Sequence, residues 1–529
     1  MGTYLNPGNS GFAEMLKSDY VDKTGLISLI NGTIGTKKKL TCISRPRRFG
    51  KSYAAQMLCA YYDKTCDSHE LFSEYTIAED KSYEKHINKY DVIYLDMTGI
   101  IGETSPDDIV AYIKRSVVNE ICAQYSEVKI EEGFAPTLVN LVNNTNDKIV
   151  MIIDEWDAPI RENPEIQEEY LEFLRSLFKN SGTTSKIFAA AYMTGILPIK
   201  KDGSQSAISD FEEYSVLEPG EFAGFVGFTE DEVKKICEEK KKDFEKMKLW
   251  YDGYTFGEKH SIYNPYSVMH AVSGKYKSYW KKTSAAETLM TYIDMDQDGL
   301  QDTIARLIAG ESVIVDTDSF QNDVETFTCK DDVLTLLAHL GYLTYEEEPD
   351  SYDDDSEVGL VRIPNEEVRS EFDKILRKAE HKSLIELVRK SDQLLKDTLE
   401  GKSDAVAKAI ADVHDSEYAP TWYSNEQSLR YVVKMAYISC VDQYAKVEEL
   451  PSGHGIADVV FLPKRRSILP AMIVELKWNK DAEGAIKQIK DRNYPKVLVN
   501  YGGRIVLVGV NYDEDTKTHD CVIEEYRKV

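Results

Sequence analysis

The sequence predicts an α/β protein of several domains, and three observations carry that prediction. A short β-branched strand, "KKLTCIS" (Lys38 to Ser44), passes through a tight loop into a stretch with apolar residues at helical spacing, "KSYAAQMLCAYYD" (Lys51 to Asp63). Farther along, "KIVMIIDEWDAPI" (Lys148 to Ile160) sets five apolar residues in a row before two acids. That pattern suits a central parallel strand buried on both faces, with its acids at the carboxyl end where such sheets bind ligands. Near the end of the chain, "GIADVVFLP" (Gly455 to Pro463), "AMIVELKW" (Ala471 to Trp478) and "GRIVLVGVNY" (Gly503 to Tyr512) read as strands around the helical "DAEGAIKQIKDRNY" (Asp481 to Tyr494).

The size and charge of the chain bound the rest. At 529 residues it exceeds what one hydrophobic core supports. Its texture divides it into 1–217, a nucleotide-type α/β domain; 218–300, a small helical subdomain; 301–413, a helical coupling region; and 414–529, a second α/β domain. Hydrophobic residues make up 42%, with no apolar run long enough to span a bilayer, and the amino terminus lacks the charged-then-apolar order of a secretory signal. A cytoplasmic location with no membrane association is expected. The eight cysteines are widely spaced, with no Cys-x-x-Cys pair, and read as reduced thiols. A formal charge of −27 opposes a general nucleic-acid coat, while leaving room for a local basic groove.

The loop between the first strand and helix is "SRPRRFGKS" (Ser44 to Ser52). Strand, tight loop and helix aim free backbone N–H groups and the positive end of a helix dipole at phosphate oxygens. Gly50 lets the backbone approach a ligand, Lys51 reaches the β and γ phosphates, and Ser52 offers its hydroxyl to Mg²⁺. Phe49 and Tyr53 flank these as further nucleotide contacts. Arg45 stands where the usual pattern has glycine. Arg45, Arg47 and Arg48 either bind phosphate or pair with acids of the site, or else form a solvated basic turn. Asp154 is placed to hold Mg²⁺ beside Ser52, and Glu155 to orient or deprotonate the attacking water. Two more strands, "YDVIYLDM" (Tyr90 to Met97) and "KIFAAAYMTGI" (Lys186 to Ile196), alternate with helices as a parallel sheet demands. Thr194 ends the second, either contacting the γ phosphate or the attacking water, or capping a turn.

The middle carries little chemistry. Thr229 followed by Glu232 marks a helix start, and Trp250, Tyr251, Tyr254 and Phe256 form an aromatic cluster expected to pack the helical subdomain onto the nucleotide core. Between Asp331 and Phe372, helix, strand pair and helix follow in winged-helix order. The connecting tip, Glu346 to Glu357, is strongly acidic, which opposes insertion into a DNA groove.

In the last domain Asp458 and Glu475 lie 475 − 458 = 17 residues apart on successive strands, so a hairpin brings them together to share a divalent metal. Lys477, two residues beyond Glu475, shares its strand face. Two carboxylates holding Mg²⁺ or Mn²⁺ and a cation that positions water and offsets phosphate charge are what phosphodiester hydrolysis needs. Glu426 on the preceding helix adds a ligand, and Gln488 on the following helix orients the site. Glu-x-Lys alone says little, since Glu79/Lys81, Glu127/Lys129 and Glu232/Lys234 repeat it. Here, though, two charges share one face of an apolar strand, an arrangement that is costly without partners.

The chain resembles the bacterial predicted AAA-ATPase-like proteins that carry a carboxyl-terminal PD-(D/E)XK nuclease-superfamily domain. "YVDKTGLI" (Tyr20 to Ile27), "SRPRRFGKS", "IIDEWDAPI", "MTGILPI", "WYDGYTFG" (Trp250 to Gly257) and "IYNPYSV" (Ile262 to Val268) carry the resemblance. It implies that the arginine-rich loop is a family trait, and that Ala457, in place of the proline of the family name, leaves the metal-ligand aspartate intact. It implies a P-loop NTPase sheet followed by a restriction-endonuclease-like domain, with ATP and Mg²⁺ as cofactors. The expected function is an ATPase whose nucleotide state controls a nuclease acting on DNA or RNA. Two alternatives stay open: an ATP-dependent scaffold or signalling protein with an inert nuclease fold, and an ATPase acting on protein partners; whether the protein forms an oligomer stays open under every reading.

Overall fold

The computed structural model describes residues 2–526 apart from 180, 200, 203–204, 207, 209, 281–299, 319, 321–326, 328, 348–357, 379–381, 416–425, 439, 441–443, 453–454, 464–468, 493, 495–497 and 499–503. The chain divides into two compact units, Met1–Lys281 with Ile314–Glu367, and Lys282–Val313 with Val368–Val529.

The first unit is built on β1 (Leu40–Ser44), β2 (Asp91–Asp96), β3 (Ile149–Asp154), β4 (Phe188–Gly195) and β5 (Glu212–Tyr214). All pair in parallel, in the order β2-β3-β4-β1-β5. Every residue of β1, β3 and β4 is buried, which is why their sequences run apolar without alternation. Parallel register brings the carboxyl ends together: Ser44 lies opposite Gly195, Ile43 opposite Thr194, and Asp96 opposite Asp154. Because β4 sits between β1 and β3, Thr194 falls between the loop that follows β1 and the acids that end β3. The edge strand β5 was not anticipated; it is three residues long and only half-buried, so its sequence lacks a strand's apolar signature.

Helices cover the sheet by burying single stripes. Ile109–Gln124 turns Ile109, Ile113, Val117 and Ile121 inward at four-residue spacing, onto a core that includes Leu95, Met151, Ile153 and Met193. Each such buried side chain contributes roughly 1.5–3 kcal/mol. The helix α1 (Lys51–Tyr62) follows β1 directly and starts from Gly50 in a left-handed conformation (φ 95°). Its amino terminus has no side-chain cap, because glycine at that position offers the first N–H groups no side-chain acceptor. The short helix α2 (Ala158–Glu162) follows β3.

Beyond the sheet, α3 (Glu230–Lys240) opens with a capping box between Thr229 and Glu232. It packs with α4 (Phe244–Tyr251) and α5 (Pro265–Ser273) around Val233, Met247, Tyr251 and Val268. Tyr254 and Phe256 meet Phe49 of the loop at ring-centroid distances of 5.1 and 5.8 Å, joining this helical part to the parallel sheet. Next come α6 (Lys330–Leu340) and an antiparallel pair, β6 (Thr344–Glu347) with β7 (Val358–Arg362). Most of the acidic tip, 348–357, lies outside the described residues.

The second unit carries α7 (Glu426–Ala436), β8 (Tyr444–Ser452), β9 (Gly455–Pro463), β10 (Ala471–Trp478), α8 (Ala482–Asp491), β11 (Ile505–Asp513) and β12 (Thr518–Tyr526). The sheet runs β8-β9-β10-β11-β12 and is mixed: β10 and β11 pair in parallel, the other neighbours antiparallel. Helix α8 forms the crossover between the parallel strands. It approaches β11 so closely that a Cβ at Gly509 would stand 2.4 Å from the Ala482 carbonyl oxygen. The final strand β12 extends the expected order by one; its partial exposure and polar content hid it from the apolar pattern. Among the described residues no helix is long and apolar enough to cross a membrane, and all eight cysteines are free thiols.

Candidate functional sites

The loop between β1 and α1 borders a cavity of about 560 Å³ whose walls include Arg48, Phe49, Gly50, Lys51, Ser52, Tyr53 and Glu155. Lys51 is buried, and its ammonium donates to the carbonyls of Arg45 and Pro46 (both 3.1 Å) while pairing with Glu155 Oε1 at 3.2 Å. Thr194 donates to Asp154 Oδ1 at 2.5 Å and accepts the Glu155 N–H at 3.1 Å. Burial pushes the Asp154 pKa up, against hydrogen bonds from Ser52 and Thr194. Burial acts on Glu155 in the same direction, yet the Lys51 and Arg161 charges outweigh it and hold the carboxyl below its ordinary range. Phosphate-type ligands fit this chemistry: a buried cation, a helix amino terminus without a cap, and a glycine backbone open to approach. Ser52 and Asp154 are close enough to hydrogen-bond and are the pair that would hold Mg²⁺.

The three arginines occupy three different environments. The Arg45 guanidinium is fully buried and does not line the cavity. It donates to the carbonyls of Ser44, Tyr214 and Ser215 and lies over the Phe256 ring, and burial pushes its pKa down to about 9. It thus fastens the loop to the β5 end, away from the residues that line the cavity. Arg47 is half-buried among Arg161, Glu155, Asp157 and Glu162, and burial lowers its pKa. Arg48 lines the cavity, donating to the Tyr279 carbonyl at 2.7 Å with its guanidinium 4.4 Å over the Tyr266 ring. Phe49 is buried against the helical part, whereas Tyr53 is exposed at the cavity rim.

Other walls of the cavity come from distant segments: Tyr20 and Lys23 before the loop, and Tyr266, Met269 and His270 on α5. Sequence reading missed these as contacts because nothing local marks them. Asp157 and Arg161 were missed too, although their four-residue spacing was a usable sign of an ion pair.

In the second unit the Val459–Val474 pairing sets Asp458 across from Glu475. Asp458 accepts the Leu476 N–H at 2.9 Å through one oxygen and pairs with Arg430 at 3.0 Å through the other. Lys477 Nζ lies 3.1 Å from Glu475 Oε1, an oxygen that also accepts from the Gln488 amide. Glu475 Oε2 is buried with no hydrogen-bond partner. Burial, then the nearby Asp458 charge, pushes the Glu475 pKa up to about 7. Glu426, at the start of α7, adds repulsion from its half-buried position. Arg430, one turn along the same helix, was not singled out from sequence.

Among the described residues no three His, Cys, Asp or Glu side chains are gathered as a ready-made metal cage. The orphaned Glu475 oxygen, on a buried carboxyl set across from Asp458, nevertheless fits a hard divalent cation. Asp458 and Glu475, with Glu426, are the residues that would hold it.

Comparison with known proteins follows the same division. Residues 8–204 match the family described as "Predicted AAA-ATPase", and residues 424–521 match the PD-(D/E)XK nuclease superfamily. No curated protein matches the sequence. Among solved structures, the ORC2 protein of Aeropyrum pernix in ADPNP-ADP complexes is similar at 12% identity and a TM-score of 0.31, over 68% of this chain and 96% of that one. The ADP form of the same protein gives 11% and 0.29, over 67% and 93%. Residues 8–204 are thus an AAA-ATPase-like domain, and residues 424–521 a domain of the PD-(D/E)XK nuclease superfamily.

Proposed function

We propose that the amino-terminal domain binds and hydrolyses ATP, and that its nucleotide state regulates a divalent-metal-dependent nuclease in the carboxyl-terminal domain, acting on DNA or RNA. The observation that carries the first half is the meeting of Lys51, Asp154, Glu155 and Thr194 at the carboxyl ends of β1, β3 and β4. In this reading Lys51 leaves Glu155 for phosphate, and Glu155 takes a proton from the attacking water. Arg48 exchanges its carbonyl for a phosphate oxygen. Mg²⁺, when bound, supplies compensation of the charge on the phosphates.

For the nuclease half, Asp458 and Glu475 face one another across two strands, and Lys477 stands beside them to position water and offset phosphate charge. Gln488 fixes the orientation of the Glu475 carboxylate. A second reading, an inert nuclease fold used as a scaffold, is favoured by the Arg430–Asp458 and Lys477–Glu475 pairs, which balance both acids without a metal.

Time-resolved cleavage of labelled single- and double-stranded DNA and RNA, with Mg²⁺ or Mn²⁺ and with or without ATP, separates the two readings. Cleavage by wild type that disappears in Lys477→Ala and changes with ATP supports regulated nuclease action. Silence of wild type on every substrate favours the scaffold.

A further inference from the structure

Glu155 is gripped from two sides. Its Oε1 lies 3.2 Å from Lys51 Nζ, and its Oε2 lies 3.6 Å from Nη2 of Arg161 on α2. The other arm of that guanidinium, Nη1, meets Asp157 Oδ2 at 2.6 Å. The same Asp157 oxygen accepts the N–H groups of Ile196 (3.2 Å) and Leu197 (3.1 Å), which immediately follow β4. Arg161 therefore ties the carboxylate after β3 to the backbone after β4, next to the strand end from which Thr194 already holds Asp154. Arg47 also lies near this group, as do Asp154 and Glu162.

Two features show that the Glu155 arm is more than a brace. Glu155 has a left-handed backbone (φ 54°), a conformation that a glutamate rarely adopts and that its neighbours must sustain. Asp157 already fastens the loop through two backbone N–H groups, a task that does not require a guanidinium. What a guanidinium adds over an ammonium is a second, rigidly placed arm, and here that arm points at Glu155.

We propose that Arg161 is the positioning residue for Glu155 in ATP hydrolysis, holding its carboxylate in place once Lys51 has turned to phosphate. This role rests on the hydrolase reading above. Arg161→Lys keeps a cation for Asp157 and loses the arm to Glu155. It is expected to lower kcat about 30- to 100-fold, with ATP affinity within about threefold of wild type and a near-wild-type melting temperature. Arg161→Gln, which leaves Asp157 an amide donor in place of the cation, supplies a second comparison should the lysine variant melt early.

The measurements are steady-state hydrolysis and equilibrium binding of ATP to the full chain. Unchanged kcat in both variants overturns the proposal. So does a fall in ATP affinity as large as the fall in kcat, which marks a merely structural residue. Wild type that binds ATP without hydrolysing it overturns the hydrolase reading and this role with it, whereas active wild type with indifferent variants overturns the role alone.

Discussion

Lys51 and Glu155 form an ion pair 3.2 Å long in the wall of the loop cavity, and the lysine is held there by two loop carbonyls as well. In the proposed ATP site a phosphate takes over the Glu155 contact, so the lysine is set in orientation but not in partner. Charge-assisted hydrogen bonds of this kind contribute about 1.5–3 kcal/mol each. Lys51→Ala is therefore expected to weaken ATP binding roughly 10- to 100-fold. Titration with a fluorescent ATP analogue measures it; an unchanged dissociation constant would place the nucleotide elsewhere.

Arg45 gives a contrasting expectation. Its guanidinium serves three carbonyls from a fully buried position outside the cavity. Arg45→Met fills similar volume and leaves those carbonyls short of a donor. A stability loss on the order of 2–4 kcal/mol is expected, with ATP affinity little changed in the folded fraction. Chemical denaturation alongside the binding titration checks both, and a stable variant with weakened binding would return Arg45 to the phosphate site.

These two residues show where sequence reading reaches its limit. The fold class was legible because buried parallel strands such as β3 must be apolar throughout, and the ends of β3 and β4 announced Asp154 and Thr194 as polar residues closing apolar runs. Which arginine of the loop lines the cavity was not legible. Arg45, Arg47 and Arg48 are chemically alike, and their separation depends on partners more than 160 residues away, Tyr214 for Arg45 and Tyr279 for Arg48. Arg430 was hidden for the same reason, since its tie to Asp458 is made between a helix and a strand that the sequence orders but does not orient.

Gly195 tests how tightly the two strand ends are packed. A Cβ there would stand 2.6 Å from the Trp156 indole nitrogen and 3.1 Å from Asp157 Oδ1. Both side chains are nearly fully buried, so neither yields without moving the segment that carries Glu155. Gly195→Ala is expected to cost about 1–3 kcal/mol in stability through overpacking and to lower the ATP hydrolysis rate more than ATP affinity. Denaturation midpoints and kinetics on the same preparation test this, and wild-type values for both would show that the contact relaxes freely.

Glu475 makes the pH dependence of the second unit predictable in sign. Burial and Asp458 raise its pKa to about 7, above the ordinary carboxyl value near 4.5. Between those two values the folded state holds a proton that the unfolded state has released. The stability from this group is therefore complete below about pH 4.5 and is lost as pH rises through about 7. Glu475→Gln cannot titrate and removes that decline. Its stability advantage over wild type is expected to grow from pH 5 to pH 8, by on the order of 1–3 kcal/mol without added metal. Mn²⁺ should narrow the gap at pH 8, because a cation bound to the folded wild type takes the place of the proton. Urea denaturation of both proteins at the two pH values, with and without Mn²⁺, measures each effect. A gap that shrinks with rising pH would mean that Lys477 outweighs burial and keeps Glu475 ionised.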